Sequence, residues 1–572
     1  MRERIWEFKN RALKPQEILD FALGNNIPPA IATILLNRDI RTEEQVRSYL
    51  KKELAGVHNP FLFDGMEAAA DRIVRAISEN EPVVVYGDYD VDGITSTALL
   101  YSFLKSRGAN VEYYIPDRKK EGYGINIMAV NRLARRGIKL MITVDCGITA
   151  VGEIEFAKTQ GMEVIVTDHH TCKEDLPRAV AVINPKIRES SYPFDGLAGV
   201  GVAFKLVLAL AVRLGLNTKA VFMQYAEIAA VGTIADVVPL VDENRIIVDK
   251  GIISARQTKN NGLRALIEVS GINGSALSAM NVAFAIAPRL NVAGRLESAD
   301  TAVRLLIEED YDKALEIARH LNSLNTERQR LELDILNQAM NQAESFGEDE
   351  RLVYVMEGEG WNSGVIGIVA SRVLENFYRP CVLISCENGK GKGSGRSIEG
   401  FNLFDALTAC SGELTEFGGH SLAAGLSIEQ DKIAEFRKKI NEYAKKNMNS
   451  EMLVPKLKIE CVLEKSDITM NAAKIISRLE PFGMGNDIPV FAAYGLKVLH
   501  VSCIGTEGKH LRLLLGAGGR QFRAVGFGMG ELAQRISVGQ KADIAFTMSV
   551  NIYQNNENLQ LLLKDIKFDG NI

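Results

Sequence analysis

From about residue 65 the chain alternates between two hydrophobic rhythms. Short, largely β-branched apolar runs ("PVVVYGD", "NVEYYIP", "KLMITVDCG", "MEVIVTDHH") are separated by stretches in which apolar positions recur every three or four residues ("EAAADRIVRAIS", "TSTALLYSFLKSRG", "INIMAVNRLARRG", "AVGEIEFAKTQG"). Strands and amphipathic helices in this order predict βαβ units and therefore a parallel, doubly wound sheet. In such sheets ligands bind beyond the carboxyl ends of the strands.

The rhythm then changes. "YDKALEIARHLNSLNTERQRLELDILNQAMNQAESFG" is mostly polar but carries Leu321, Leu324, Leu331 and Ile335 at helical spacing, which predicts a long connector between two lobes over residues 311–347. Residues 348–450 return to α/β character, with "RLVYVMEG", "GVIGIVASRVLENF" and "PCVLISC". Residues 451–572 read as strands parted by glycine or polar turns, among them "YGLKVLHVSCIG", "HLRLLLGAG", "RQFRAVGFG" and "KADIAFTMSVNIY", a pattern that predicts a small OB-like β-barrel. Residues 1–60 read as short helices and turns, and residues 61–310 as the first α/β domain.

Composition narrows the class. A chain of 572 residues is too long for one core, and 47% apolar with 24% charged residues is an ordinary globular mixture. No uninterrupted apolar stretch is long enough to span a bilayer, and "MRERIWEFKNRALKP" lacks the apolar core of a secretory signal, so a cytoplasmic protein with no membrane partner is expected. Seven cysteines without a CxxC pair predict reduced thiols, neither a disulfide framework nor a zinc knuckle. With a net charge of -5, any nucleic-acid binding must rest on local basic groups. Candidates are Arg118 with Lys119 and Lys120, Arg132 with Arg135 and Arg136, Lys390 with Lys392 and Arg396, and Arg437 with Lys438 and Lys439. Taken singly, each group is more often a solvated face than a phosphate track.

"VVVYGDYDVDG" places Asp88, Asp90 and Asp92 at alternate positions at a strand end. Carboxylates so close repel one another, and unpaired buried charge is costly, so the segment is either a solvated acidic loop or a cation site. Three further strand ends weigh for the cation. "LMITVDCG" ends in Asp145, "VIVTDHH" in Asp168, His169 and His170, and "AEIAAVGTIADVVPL" presents Asp236. Carboxylates with imidazole, and no ligand-spaced cysteines, suit Mn2+ or Mg2+, and the count is enough for two ions. Asp168 reads as an orienting group for a neighbouring backbone or imidazole. The glycine-rich "GKGKGSGRS" reads by default as a flexible surface turn. It is no Walker A loop, because GxxxxGK[ST] is absent, so ATP-driven unwinding is not expected.

"GDYDVDG", "TVDCG", "VTDHH" and "GTIADVVPL" resemble, in order, the four motifs of the DHH phosphoesterase superfamily, and most specifically those of RecJ-type single-stranded-DNA exonucleases. The resemblance continues through "APRLNVAGRLESA", "LNSLNTERQ", "GWNSGVIGIVASR", "GSGRSIEGFNLFDAL", "FGGHSLAAGL" and "LEPFGMGNDIPVF". It implies a parallel-sheet DHH domain, joined by the long helix to an α/β DHH-associated domain and followed by the barrel. It also implies a metal-dependent 5′-to-3′ exonuclease of single-stranded DNA, active in repair and recombination. Asp90, Asp92, Asp145, His169 and Asp236 would ligate the metals. Asp88 would complete the shell, and His170, with Asp168, would stand near the scissile phosphate. Arg289 and Asn291 match phosphate-contacting positions. Arg118, Ser394 and Arg396 match a pocket for the 5′-terminal phosphate, and His420 matches the signature of the DHH-associated domain. A monomer is expected, with a helicase or single-strand-binding protein supplying the strand. Asn362 stands where histidine is usual, and Asp487 where proline is usual. The alternative is a DHH phosphoesterase acting on short oligoribonucleotides, cyclic dinucleotides or polyphosphate, for which the added barrel has no obvious use.

Overall fold

A computed structural model describes residues 4–118, 120–553 and 556–568, leaving Lys119 and the side chain of Tyr553 outside the description. The chain forms two compact units, Val57–Leu453 and Met1–Gly56 together with Val454–Ile572.

In the first unit, strands β1 (Val83–Gly87), β2 (Val111–Tyr114), β3 (Leu140–Val144), β4 (Glu163–Thr167) and β5 (Ala181–Ile183) make one all-parallel sheet in the order β2-β1-β3-β4-β5. Every residue of β1 and β3 is buried, as the unbroken β-branched runs require of strands covered on both faces. Helices α1 (Val91–Ser106), α2 (Ile127–Arg135) and α3 (Val151–Thr159) make the crossovers. Beyond the sheet lie α4 (Gly199–Arg213), α5 (Thr218–Ala235) and α6 (Asp242–Ala255). The first of these is buried from Gly199 to Ala211, in keeping with its almost wholly apolar sequence.

Helix α7 (Ala287–Leu296) precedes the connector α8 (Tyr311–Ser345), which buries Leu321, Leu324 and Ile335 as its periodicity predicts. Glu332 on the same helix is also buried, 3.3 Å from Arg328 and paired with Arg372. The second lobe holds β6 (Tyr354–Glu359), α9 (Ile366–Phe377), β7 (Cys381–Glu387), β8 (Lys390–Arg396), β9 (Leu414–Gly419) and β10 (Ala423–Glu429), with the sheet ordered β9-β10-β8-β7-β6. Strand β8 corrects the reading of "KGKGSGR" as a flexible turn. A Cβ on Gly391, Gly393 or Gly395 would stand 2.7 Å from Ile384, Leu426 or Leu403. The glycines are there because one face of the strand has no room, and the period of two turns Lys390, Lys392, Ser394 and Arg396 to the other.

The second unit is a closed barrel. Phe491–Ile504 pairs antiparallel with His510–Ala517 and with Lys541–Tyr553. His510–Ala517 continues to Arg520–Gly526, which runs parallel to Asn556–Phe568, and that strand returns to Lys541–Tyr553. The amino-terminal residues are not a separate helical stretch. Ile5–Phe8 pairs in parallel with Lys456–Ile459, the Trp6 indole donates to Asp565 at 2.7 Å, and Ile31, Ile34 and Leu35 are buried in one cluster with Phe491, Phe522, Ile544 and Phe546. Phe522 is thus core, whereas Phe527 is 63% exposed beside His510. Among the described residues no single helix is long and apolar enough to cross a membrane.

Leu35→Ala should destabilise the barrel unit by about 2–5 kcal/mol, the cost of truncating a fully buried leucine. Hydrogen exchange resolved by segment is expected to show faster exchange in Lys541–Tyr553 and Asn556–Phe568, with the protection of β1 and β3 unchanged.

Candidate metal centre

The carboxyl ends of β1, β3 and β4 converge. Asp88 leaves β1, and Asp90 caps α1, its Oδ1 accepting from the backbone N–H of Asp92 at 2.9 Å and of Gly93 at 3.1 Å. Asp92, in the first turn of the helix and fully buried, receives the N–H groups of Gly199 and Val200 at 2.6 and 2.7 Å, so the free amino end of α4 points at its carboxylate. Asp145 follows β3 in a left-handed conformation, φ 59°, packed against Gly199. A Cβ on that glycine would lie 2.5 Å from Asp145 Oδ1. His169 follows β4.

Asp236 corrects the expectation of a fourth strand end, because it caps the carboxyl end of helix α5. The sheet has no strand at that point, and the apolar "AEIAAVGTIA" run is a buried helix segment whose length, not its composition, distinguishes it from a strand.

Three overlapping groups of donor atoms, each within 4.8 Å, could hold a metal ion: Asp88, Asp90 and Asp145; Asp92, His169 and Asp236; and Asp145, His169 and His170. Asp145 belongs to two of them. His169 Nε2 lies 3.2 Å from Asp145, 3.7 Å from Asp236 and 3.8 Å from Asp92. Yet both ring nitrogens of His169, with Asp88 Oδ1 and Asp145 Oδ1, are buried without a hydrogen-bond partner. Orphaned lone pairs on carboxylate and imidazole are the mark of a site that fits a cation, and the oxygen-rich donor set fits Mn2+ or Mg2+.

The electrostatics agree. Burial, then the neighbouring Asp90, pushes Asp88 up to about 7. Burial and Asp90 do the same to Asp236, also to about 7, while burial holds Asp92 and Asp145 well above the ordinary carboxylate range, with Asp236 and Asp90 adding to the effect on Asp92, and Asp92 and Asp90 to that on Asp145. Burial, then His170, holds His169 down to about 3, so its imidazole is neutral and its lone pair available. Asp168 stands outside this set. Its Oδ1 accepts from the N–H groups of His169 and His170 and lies 2.7 Å from His170 Nδ1, and its Oδ2 accepts from Ile148 N–H. It orients rather than ligates. Burial opposes charge on His170, but the bond to Asp168 raises its pKa on balance.

Arg118 and Ser394 line a cavity of about 940 Å³ with Trp361, Asn362, Lys392 and Phe417. Arg396 adjoins it, donating to Ser394 Oγ at 3.2 Å. Asn362 Oδ1 accepts from Gly364 N–H at 2.8 Å, so the residue that departs from the usual histidine shapes the turn into α9. Arg289 is held by Asn322 and the Ala285 carbonyl, and Asn291 beside it is half-buried. His420 lies apart, exposed in the turn between β9 and β10.

Sequence reasoning missed Arg295, which lines the same cavity and donates to the Gly364 carbonyl. Its signal was a charge set in the small apolar context "VAGRL". Burial, and then Arg118 and Arg328, hold Arg295 down to about 10, with Asp90 opposing. Among the described residues none of Arg118, Arg289, Arg295 and Arg396 pairs with a carboxylate. A field this positive beside the acidic cluster suits a chain of phosphates.

A parallel sheet that ends in aspartates and the paired histidines, with a second α/β lobe that completes an arginine-lined cavity, defines the DHH class of phosphoesterases. Family models agree: the DHH family N-terminal domain matches residues 82–233, the DHHA1 domain 349–446 and the RecJ OB domain 459–565. The single-stranded-DNA-specific exonuclease RecJ of Bacillus subtilis is 41% identical over 94% of this chain and 68% of its own length. That of Escherichia coli is 32% identical over 97% and 98%. RecJ of Thermus thermophilus, crystallised with Mn2+ and also with Mg2+, superposes in its Mn2+ form with a TM-score of 0.83 at 31% identity, over 99% of this chain and 79% of that one. The chain belongs to the RecJ family of single-stranded-DNA-specific exonucleases.

Without metal, Asp88→Asn should raise the unfolding midpoint of the Val57–Leu453 unit by a few degrees at pH 8. A carboxylate whose folded pKa stands near 7 rather than near 4 destabilises the fold above pH 7, and the penalty fades as pH falls through that value. Thermal scans in EDTA should therefore show the gain at pH 8 and its disappearance by about pH 4.

Proposed function

We propose that this chain, a metal-dependent exonuclease of single-stranded DNA, degrades the strand from its 5′ end. Asp90, Asp92, Asp145, His169 and Asp236 would hold two divalent ions and Asp88 would complete the shell. Bound Mn2+ or Mg2+ supplies Lewis-acid activation of water and neutralisation of phosphodiester charge. The observation that carries this reading is the sharing of Asp145 between the donor groups, with His169 orphaned at its side. His170, fixed in orientation by Asp168, whose hydrogen bond raises its pKa, would face the departing oxygen with its remaining ring nitrogen and donate to it when protonated.

Polarity comes from the arginines, since the acidic cluster is indifferent to strand direction. Arg396 and Ser394, with Arg118 from the sheet domain, would seat the terminal phosphate. Arg295, influenced both by Asp90 and by Arg118, would lie along the path from that phosphate to the scissile one, as would Arg289 and Asn291. The barrel would add affinity for longer strands through its basic surface and exposed rings such as Phe527, without taking part in the chemistry. His420, exposed in the turn between β9 and β10, would contact the strand from the DHH-associated domain. A cytoplasmic monomer fed by a helicase or a single-strand-binding protein fits a nuclease that carries no ATPase motif. The small-substrate reading is disfavoured by the barrel.

Asp145→Ala should abolish cleavage of 5′-labelled single strands while circular dichroism stays that of the parent, and a chelator should silence the parent enzyme. Near-parental turnover of the variant in Mn2+ would refute the ligand assignment. Arg396→Ala should weaken binding of 5′-phosphorylated strands by roughly ten- to a hundredfold, the scale of one charge-assisted fork. Strands with a 5′-hydroxyl should lose much less, and equal losses for both would remove the pocket from the account.

A further inference from the structure

Behind the acidic cluster lies a charged pair that the proposed chemistry does not use. Lys205 on α4 and Glu243 in the first turn of α6 are both 0% exposed, with Nζ 2.9 Å from Oε2. Lys205 also donates to the His58 carbonyl, the Tyr192 hydroxyl donates to Glu243 Oε1, and the His58 N–H donates to Oε2 at 3.2 Å. His58 Nε2 in turn lies 2.6 Å from Asp242. Four separate segments thus meet at one buried carboxylate. A buried pair of this kind seldom adds net stability over an apolar substitute, and its better-attested use is to fix one register.

The register here concerns two site carboxylates. Gly199 and Val200, whose N–H groups hold Asp92, begin the helix that carries Lys205 roughly 9 Å further along its axis. Asp236 ends α5, and the chain reaches Glu243 through a short turn in which Val237 takes φ 61°, a conformation that β-branched residues avoid. That turn is held from outside. Asn244 donates to the Pro239 carbonyl at 3.0 Å and to that of Gly196, just before α4, at 2.6 Å. Glu243 and Asn244 therefore tie the end of the Asp236 turn to the helix that grips Asp92, and His169 sits between those two aspartates.

We infer that the Lys205–Glu243 pair is a positioning device for the divalent cation: it sets the distance between Asp92 and Asp236, and through it the affinity of the metal site on the His169 side. The inference rests on the reading of Asp92 and Asp236 as ligands. It predicts an effect on metal binding that is separable from both stability and DNA binding.

The test is a Mn2+ titration of the full chain by calorimetry, alongside thermal unfolding in EDTA and KM for a 5′-phosphorylated single strand. The double variant Lys205→Met with Glu243→Gln removes both charges together, keeps an acceptor for the His58 N–H and can donate from its amide nitrogen to the Tyr192 hydroxyl oxygen. It is expected to unfold within a few degrees of the parent, to bind Mn2+ roughly ten- to a hundredfold more weakly at one of two sites, the scale for groups that orient ligands, and to keep its KM for DNA. Saturating Mn2+ should recover most of kcat. Should the double variant not fold, Glu243→Asp carries the same test, because it keeps the pair but withdraws the carboxylate by one methylene and should weaken Mn2+ binding in the same direction. Parental Mn2+ affinity in whichever of the two folds overturns the inference. Asp92→Asn is the control: if it too binds Mn2+ like the parent, the ligand assignment has failed rather than the positioning role.

Discussion

Four carboxylates that have nowhere to discharge set the terms for the rest of the larger unit. Asp88, Asp92 and Asp145 are almost wholly out of water, and Asp236 is close beside them. At an effective dielectric near 20, each pair of like charges 4 Å apart costs about 4 kcal/mol. The surrounding fold is arranged to bear that repulsion. The amino end of α4 faces Asp92, Asp90 is absorbed as a helix cap, Asp168 is saturated by donors, and His169 is left neutral. These arrangements reduce the strain without cancelling it, and what remains is an affinity for cations.

The arginines around the neighbouring cavity, on α7 as well as in the second lobe, carry the opposite imbalance. Burial, and then neighbouring guanidinium groups, lower the proton affinity of Arg289 and Arg295, and among the described residues neither pairs with a carboxylate. Each region is unsatisfied alone. A polyanion accompanied by divalent ions satisfies both, so selectivity for a nucleic-acid backbone arises before any base is touched. Glycines in β8 make this possible by giving up one face of the strand to the core, so that every side chain it carries lies on the other.

The order of strands and helices in the sheet domain was legible in the sequence because each period, two or near 3.6, persisted long enough to be read, and the aspartates were legible because charge at the end of an apolar run is conspicuous. The structure brings Asp236 to the acidic cluster from a helix and not from the expected strand end, since a fully buried helix has no polar face to betray its period. Arg295 was hidden by its neighbours: nothing local marks an arginine as half-buried until Gly294 lets the helix approach the Tyr89 carbonyl, where a Cβ would lie at 2.5 Å. The role of the first residues was illegible for a different reason. Ile31, Ile34 and Leu35 form an ordinary apolar stripe, and nothing in a stripe says that its partner lies at the far end of the chain.

That last feature bears on how the protein is made. Met1–Gly56 shares its core with Val454–Ile572, and the whole of Val57–Leu453 comes off the ribosome between them. At elongation rates of about 5–20 residues per second the helix Pro29–Leu36 waits on the order of tens of seconds for the surface that buries it. During that interval its apolar stripe is available to chaperones and to aggregation, while the nuclease lobes can already be complete.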